Sequence, residues 1–124
     1  MTMLIGDWKS SSATPGYVGH GYRHNGNAKD GNASARFEAR LPKPGHYEVR
    51  LAYPPHSNRA SNVRIEIRHA GGTKSVVVNQ REPPPDGVSV SLGEFEFLGD
   101  STVTVSTQGA DGYVVIDAVQ WLAK

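Results

Sequence analysis

The residue types that could carry out chemistry are concentrated in segment 52–62, with the sequence AYPPHSNRASN. Its polar side chains are His56, Ser57, Asn58, Arg59, Ser61 and Asn62. A histidine beside a serine has the composition of a base and a nucleophile, but nucleophilic catalysis also needs an acid that orients the histidine. The spacing identifies no such acid, and no G-x-S-x-G turn occurs. Hydrolysis is therefore the least supported function, and we expect no catalytic residues and no enzyme activity.

Two histidines in the segment HGYRH, His20 and His24, have the spacing of helical zinc ligands. The glutamate of an H-E-x-x-H motif is missing, and Gly21 disfavours a helix. In an extended segment the two side chains still share a face, so the sequence leaves an adventitious metal site open. Hydrogen bonding by two loop histidines is the favoured interpretation.

Asp117 is the one charged residue in the apolar segment VVIDAVQW, and a buried carboxylate requires a partner. Backbone amides or an arginine would hold it as a structural residue, which is the favoured interpretation. Calcium, which prefers oxygen ligands, would instead tie the last strand to an N-terminal loop. We expect no cofactor and no metal, with a structural calcium at Asp117 as the weak alternative.

Aromatic and amide side chains occur together in the loops, which is the composition of a sugar-binding surface. Sugars present apolar C–H faces to flat aromatic rings and hydroxyl groups to Asn, Arg and His side chains. The predicted ligand-binding residues are Tyr17, Tyr22, Tyr53, His56, Asn58, Arg59 and Arg81. The alternative, at about even weight, is that the tyrosines close the edge of the core while the Asn and Arg side chains brace their own loops.

Composition and charge exclude several classes of partner. Thirteen basic and twelve acidic residues give a formal charge of +1, whereas nucleic acids and anionic membranes need a concentrated basic patch. Cysteine is absent, so disulfides and cysteine-ligated zinc are excluded. No apolar run is long enough to cross a bilayer, and the start MTMLIG is too short for a signal peptide. We therefore expect neither a nucleic acid nor a membrane as a partner.

Strand-period alternation predicts the elements that position these residues. Segments 33–41, 46–53 and 62–69 alternate apolar with charged side chains, as strands with one packed and one wet face do. About eight strands predict one all-β domain over 1–124, an antiparallel β-sandwich or jelly roll. The side chains predicted to form its core are Phe37, Leu41, Tyr47, Val49, Leu51, Val63, Ile65, Ile67, Val77, Phe95, Phe97, Val103, Val105, Val115 and Trp121.

Turn residues predict how the strands connect. The sequence PKPG predicts a hairpin that joins 33–41 to 46–53, and AGGT predicts a second hairpin between 62–69 and 74–80. Gly93 predicts a bulge or bend within a later strand.

The segments GYVGHGYRHN, ARFEARLPKPGHYEVRLAYPPHSNRASNVRIEI, VVVNQR, LGEFEF and GADGYVVIDAVQWL resemble, in this order, the golvesin C-terminal-like domain. This family is also described as the xanthan-lyase carbohydrate-binding-like domain, and the resemblance covers nearly the whole chain. It implies a jelly-roll, galactose-binding-like β-sandwich that serves as an accessory domain of larger bacterial proteins, among them polysaccharide lyases, peptidases and FAD-dependent oxidoreductases. It assigns no catalytic residue.

From the residues and the resemblance together, we expect a non-catalytic accessory domain excised from a larger bacterial protein. It would bind a polysaccharide or oligosaccharide and target or support an attached enzyme. Its expected location is extracellular or periplasmic, as part of a secreted parent. The alternative is a structural or protein-interaction domain with no sugar ligand, which packs on the catalytic domain of a parent such as a FAD-dependent oxidoreductase or peptidase.

Overall fold

The computed structural model describes residues 2–6, 8–11, 22–26, 33–85 and 87–124. None of these ranges contains a helix long and apolar enough to span a membrane. They form eleven strands: β1 (Thr2–Ile5), β2 (Lys9–Ser11), β3 (Tyr22–His24), β4 (Ser34–Arg40), β5 (Gly45–Ala52), β6 (Val63–His69), β7 (Gly72–Val78), β8 (Ser89–Phe97), β9 (Asp100–Ser106), β10 (Val115–Ile116) and β11 (Ala118–Ala123).

Every pairing between these strands is antiparallel. One sheet has the order β1-β4-β9-β6-β7, a second has the order β11-β5-β8, and a third, small sheet has the order β10-β3-β2. Inward side chains of the first sheet, such as Ile65 and Val103, join those of the second, such as Val49 and Leu51, in one hydrophobic core. Two sheets that share a core in this way form a sandwich, so the predicted fold class is confirmed.

Strand β6 shows how the sequence pattern produces this arrangement. Val63, Ile65 and Ile67 are fully buried, whereas the residues between them are exposed, because successive side chains of a strand point to opposite faces. The predicted hairpin with β7 is confirmed, and its register closes at the pair His69 and Gly72. The strand therefore has one apolar face on the core and one charged face in water.

The predicted hairpin between the segments that became β4 and β5 is wrong. β4 pairs with β1 and β9, whereas β5 pairs with β8 and β11 in the other sheet. The turn PKPG reverses the chain, but it carries β5 across the core instead of beside β4. Both strands have a strongly apolar inward face, and crossing over lets these faces pack against each other from opposite layers.

One predicted core residue, Val77, is also wrong, since it is 63% exposed. β7 lies at the edge of its sheet, and its inward residues are Val76 and Val78. The other predicted core residues are buried or, in the case of Leu41, Phe95 and Trp121, partly buried against the core. A run of three valines has no alternation, so its sequence does not reveal which members face inward.

The bulge predicted at Gly93 is confirmed: the register of β8 against β5 shifts there, and Gly93 has a φ of 125°.

The segment VVIDAVQW does not form one strand, because β10 ends at Ile116 and β11 begins at Ala118 in a different sheet. Asp117, half-buried, lies at this change of sheet.

Candidate functional site

The predicted polar segment forms one end of the sandwich together with two distant parts of the chain. The amide of Ala60 donates to the carbonyl of Tyr113 at 2.7 Å, and the amide of Tyr113 donates to the carbonyl of Asn58 at 3.0 Å. The amide of Gln80 also donates to the carbonyl of Ala60 at 2.9 Å. We call this assembly, segments 54–62, 79–82 and 109–115, the loop end.

Arg59 is the centre of the loop end and is only 3% exposed. Its Nε donates to the carbonyl of Pro54 at 3.3 Å, its Nη1 to Oδ1 of Asn58 at 2.6 Å and its Nη2 to the hydroxyl of Tyr22 at 3.3 Å. A planar guanidinium can reach several acceptors at once without changing conformation. Arg59 therefore joins β3 to both halves of the loop.

Two buried amide side chains extend this bracing to the last segment of the chain. Gln80, fully buried, donates from Nε2 to the carbonyl of Val115 and accepts the amide of the same residue, both at 2.9 Å. Oδ1 of Asn25 accepts the amide of Val114 at 3.0 Å, and the backbone amide of Asn25 donates to the Val114 carbonyl at 3.2 Å. Buried backbone groups need hydrogen-bond partners. Gln80 and Asn25 supply these partners to the backbone of Val114 and Val115, as a neighbouring strand would.

The outer edge of the loop end is organised by Asp111. Its carboxylate accepts the backbone amide of Ser61 at 2.7 Å and the hydroxyl of the same serine, and it lies 3.4 Å from Nη2 of Arg81. The two Ser61 donors, followed by the charge of Arg81, lower the pKa of Asp111 below its ordinary value. Arg81 is itself fixed, since its Nε donates to the carbonyl of Arg59 at 2.6 Å.

A close backbone approach at Gly112 permits this arrangement. A Cβ atom at that position would lie 2.7 Å from the carbonyl oxygen of Arg59 and 2.8 Å from that of Asn58. Real side chains do not reach such distances, so a glycine lets segment 109–115 lie directly on segment 54–62. The dipeptide Asp111-Gly112 is the turn signal that marks this place in the sequence.

The structure divides the predicted ligand-binding residues into two groups. Tyr22, Tyr53 and Arg59 are buried, at 5%, 3% and 3% exposure, so neither tyrosine ring presents an open face to solvent. His56, Asn58 and Arg81 are exposed on the loop end. Tyr17 and His20 lie outside the described residues. Binding by these residues stays a prediction.

Tyr53 illustrates why an aromatic loop residue was difficult to interpret from sequence. Its hydroxyl donates to the carbonyl of Glu82 at 2.8 Å, while its ring joins the hydrophobic core. Burial raises the pKa of the Tyr53 hydroxyl, and the charge of Glu82 raises it further. The residue therefore fastens the segment that follows β7 to the sandwich.

Tyr113 and His24 were missed as members of the site. Their rings meet edge to face with centroids 5.5 Å apart, and both residues are half-buried, with His24 of β3 beside Tyr113 of the loop end. Burial lowers the pKa of His24 below its ordinary value, and the charges of Arg59 and Lys9 lower it further. Nδ1 of His24 accepts the amide of Gly26 at 3.0 Å, which leaves Nε2 to carry the proton of the neutral ring.

The geometry around His56 does not match nucleophilic catalysis. Its Nδ1 accepts the amide of Asn58 at 3.2 Å, which is the position that an orienting carboxylate occupies in a catalytic triad. Within the described ranges no group of three or more His, Asp or Glu side chains converges in a way that could hold a metal ion. Exposed side chains of the loop end, among them Asn58, Arg81 and Asp111, are instead hydrogen-bond donors and acceptors held at fixed positions.

Packed antiparallel sheets with loops gathered at one end define the chain as a β-sandwich module. It shares this fold with the family 35 carbohydrate binding module from Clostridium thermocellum, with a TM-score of 0.66 and 16% sequence identity. The match covers 98% of this chain and 92% of that one. The two molecules are therefore alike in fold from end to end.

The family follows from the sequence. The golvesin C-terminal domain model matches residues 1–122, and the chain belongs to that family. It is 41% identical to xanthan lyase of Bacillus sp. (strain GL1) over 95% of its own length and 13% of that protein. The structure of Paenibacillus xanthan lyase matches 99% of this chain and 12% of that one, with a TM-score of 0.94 and 32% identity. The chain thus spans about an eighth of the length of these relatives.

Proposed function

We propose that this chain is a non-catalytic accessory module that binds a saccharide at the loop end. The contact surface is a rim formed by His56, Asn58 and Arg81, with Asp111 and Tyr113 beside them. The observation that carries the proposal is the fixed position of these groups, because Arg59 and Gln80 hold the backbone beneath them. A surface that is ordered before binding loses little entropy when a ligand arrives.

The relatives support a sugar as the ligand and an enzyme as the context. The sandwich that matches this chain nearly end to end is named a carbohydrate binding module, and the relatives that contain a matching segment are named xanthan lyase. The module would target or support an attached enzyme that acts on a polysaccharide, outside the cell or in the periplasm. A structural calcium at Asp117 stays a prediction.

Affinity electrophoresis in gels that contain neutral or acidic polysaccharides tests the binding, with the 124-residue chain as the probe. Asn58→Asp is the informative variant, since it keeps the oxygen that accepts from Arg59 and removes the exposed amide donor. Loss of one hydrogen bond should weaken retention about fivefold. Gln120→Glu, an amide-to-acid change on the exposed side of β11, is the matched control.

The proposal fails if no polysaccharide retards the chain, or if Asn58→Asp and Gln120→Glu change retention equally.

The second candidate function, an interaction domain without a sugar ligand, is favoured by one observation: Tyr22 and Tyr53 are buried and cannot serve as stacking platforms. Stable co-purification of the chain with a separately produced catalytic domain, together with no retention on any polysaccharide, would establish that alternative.

A further inference from the structure

An open groove lies at the opposite end of the sandwich from the loop end. Its volume is about 830 Å³, and the residues that line it include Glu38, Arg40, Arg68, His69, Leu98 and Thr102. β6 begins at the loop end with Val63 and reaches the groove at its last residue, His69. At about 3.3 Å per residue the two regions are roughly 20 Å apart, so the groove is not part of the rim.

We propose that this groove is a second binding site, for a neutral, hydroxyl-rich saccharide. Glu38 is paired with Thr102, and Thr102 is paired with Arg68 on the next strand. All three side chains point to the outer face of the five-stranded sheet. They form a row of carboxylate, hydroxyl and guanidinium about 10 Å across, since neighbouring strands are about 4.8 Å apart.

The charges of the groove favour a neutral ligand. Its two arginines, Arg40 and Arg68, are balanced by Glu38 and Asp100, so the lining has no net charge when His69 is neutral. A sugar hydroxyl both donates and accepts, and this row supplies an acceptor on one side and a donor on the other. An anionic sugar would gain from the arginines but would meet two carboxylates at the same place.

The ion pairs already present do not prevent binding. Arg36 lies 3.6 Å from Glu38, and Arg40 lies 3.9 Å from Asp100, with side chains between 41% and 92% exposed. Ion pairs this exposed contribute at most about 1 kcal/mol. The carboxylates can therefore accept from a ligand hydroxyl, and the guanidinium groups can donate to one, at small cost.

One wall of the groove is held rigid. The amide of Ala70 donates to the carbonyl of Glu96 at 2.9 Å, which fastens the β6–β7 turn to β8. The ring of His69 stacks on Phe95 with centroids 5.0 Å apart, and its Nδ1 accepts the amide of Gly71 at 3.1 Å. Nε2 therefore carries the proton of the neutral ring and is a further donor. Leu98, 72% exposed, adds an apolar surface for sugar C–H groups.

The test is a two-dimensional NMR titration of the 124-residue chain. The probes are neutral hexasaccharides of β-linked glucose, mannose and galactose, and a hexamer of galacturonate as the anionic comparison. We expect a neutral probe to shift the amides of residues 38, 68–70 and 98–102 in a saturable way. The galacturonate hexamer should bind there at least about fivefold more weakly, because its carboxylates meet those of Glu38 and Asp100.

Two pairs of matched variants, one pair on β9 and one on β6, make the test specific. Thr102→Val removes the central hydroxyl at nearly constant shape and should weaken binding about fivefold, whereas Thr104→Val, on the same face but outside the groove, should leave it unchanged. Arg68→Ala should weaken binding at least about tenfold, with Arg64→Ala as its control. Thermal melts of all four variants verify that the fold is retained.

Three results would overturn the second site: no neutral probe shifts the groove amides, the two threonine variants weaken binding equally, or the galacturonate hexamer binds the groove more tightly. The second site is independent of the proposed rim, and Asn58→Asp separates the two. Groove shifts that persist in Asn58→Asp support the second site even if the rim binds nothing. Rim shifts without groove shifts support the proposed function alone.

Discussion

The guanidinium of Arg59 lies against the ring of Tyr22, with Cζ 5.3 Å from the ring centre, and its Nη2 also donates to the Tyr22 hydroxyl at 3.3 Å. A cation held over an aromatic face gains electrostatic attraction that increases when water is excluded. Both residues belong to the predicted ligand set, yet here each is the other's partner. Their contact stabilises the surface that a ligand would meet.

Replacement of this arginine should destabilise the whole domain. Arg59→Ala leaves the carbonyl of Pro54 and the oxygen of Asn58 without their donor, and we expect a loss of about 2–4 kcal/mol in the free energy of unfolding. Arg59→Lys keeps the charge but not the planar fork and should recover only part of it. Urea unfolding measures both. Arg64→Ala, exposed on β6, should cost less than about 0.5 kcal/mol; an equal loss in Arg59→Ala and Arg64→Ala would contradict the bracing role.

The sequence predicted the strands well because alternation is a local property. Each residue of β6 faces the core or the solvent according to its neighbours two positions away. The choice of partner strand is not local: β4 and β5 follow each other along the chain yet lie in different sheets. Turn residues show where the chain reverses, and they do not show whether the next strand stays in the same layer.

The candidate site was only half predictable for a related reason. Arg59 and Asn58 could be expected to brace their own loop, because arginine reaches several carbonyls and asparagine suits turns. Asp111 could not be assigned to this loop, since it meets Ser61 across 50 positions of sequence. A tyrosine in a loop segment carries no signal for whether its ring lies inward, and Tyr53 lies inward.

Two aliphatic residues of one hairpin should differ in how much they contribute to the free energy of unfolding, because one lies in the core and the other on the exposed side of an edge strand. Ile65→Ala removes a fully buried side chain and should cost about 2–5 kcal/mol. Val77→Ala, on the exposed side of β7, should cost less than about 0.5 kcal/mol. Urea unfolding of the two variants gives the comparison, and similar losses would mean that the register of β7 is shifted by one residue.

A methyl group at Gly112 should disrupt the contact between segments 54–62 and 109–115. In Gly112→Ala the new Cβ meets backbone atoms of Asn58 and Arg59 at 2.7–2.8 Å. These atoms cannot rotate away as a side chain can, so we expect a loss of about 1–3 kcal/mol. Gly71→Ala is the control, because its nearest neighbour is a side-chain atom of His69 at 3.2 Å. Calorimetry should show the lower melting temperature for Gly112→Ala, and the reverse order would refute the close approach.

Asp111 should make the stability of the domain depend on pH in the acidic range. Its pKa is lowered in the folded state by the two donors of Ser61 and by Arg81, so the unfolded chain binds the proton more readily. The stabilisation from this carboxylate is therefore complete above its ordinary pKa of 3.8 and is lost as the pH falls through the folded value. Asp111→Asn should be less stable than the natural chain at pH 7, and the difference should shrink towards pH 2.

Urea midpoints for both proteins at several pH values test this dependence. The difference between the two proteins removes the contribution of other carboxylates, such as Glu48, whose pKa is also lowered, mainly by the hydroxyl of Ser91. Asp100→Asn is the matched control, because the side chain of Asp100 is 84% exposed and its carboxylate lies 3.9 Å from Arg40, whose side chain is 92% exposed. A difference between the natural chain and Asp111→Asn that stays constant down to pH 2 would show that the acid-to-amide change acts through shape and not through the charge of Asp111.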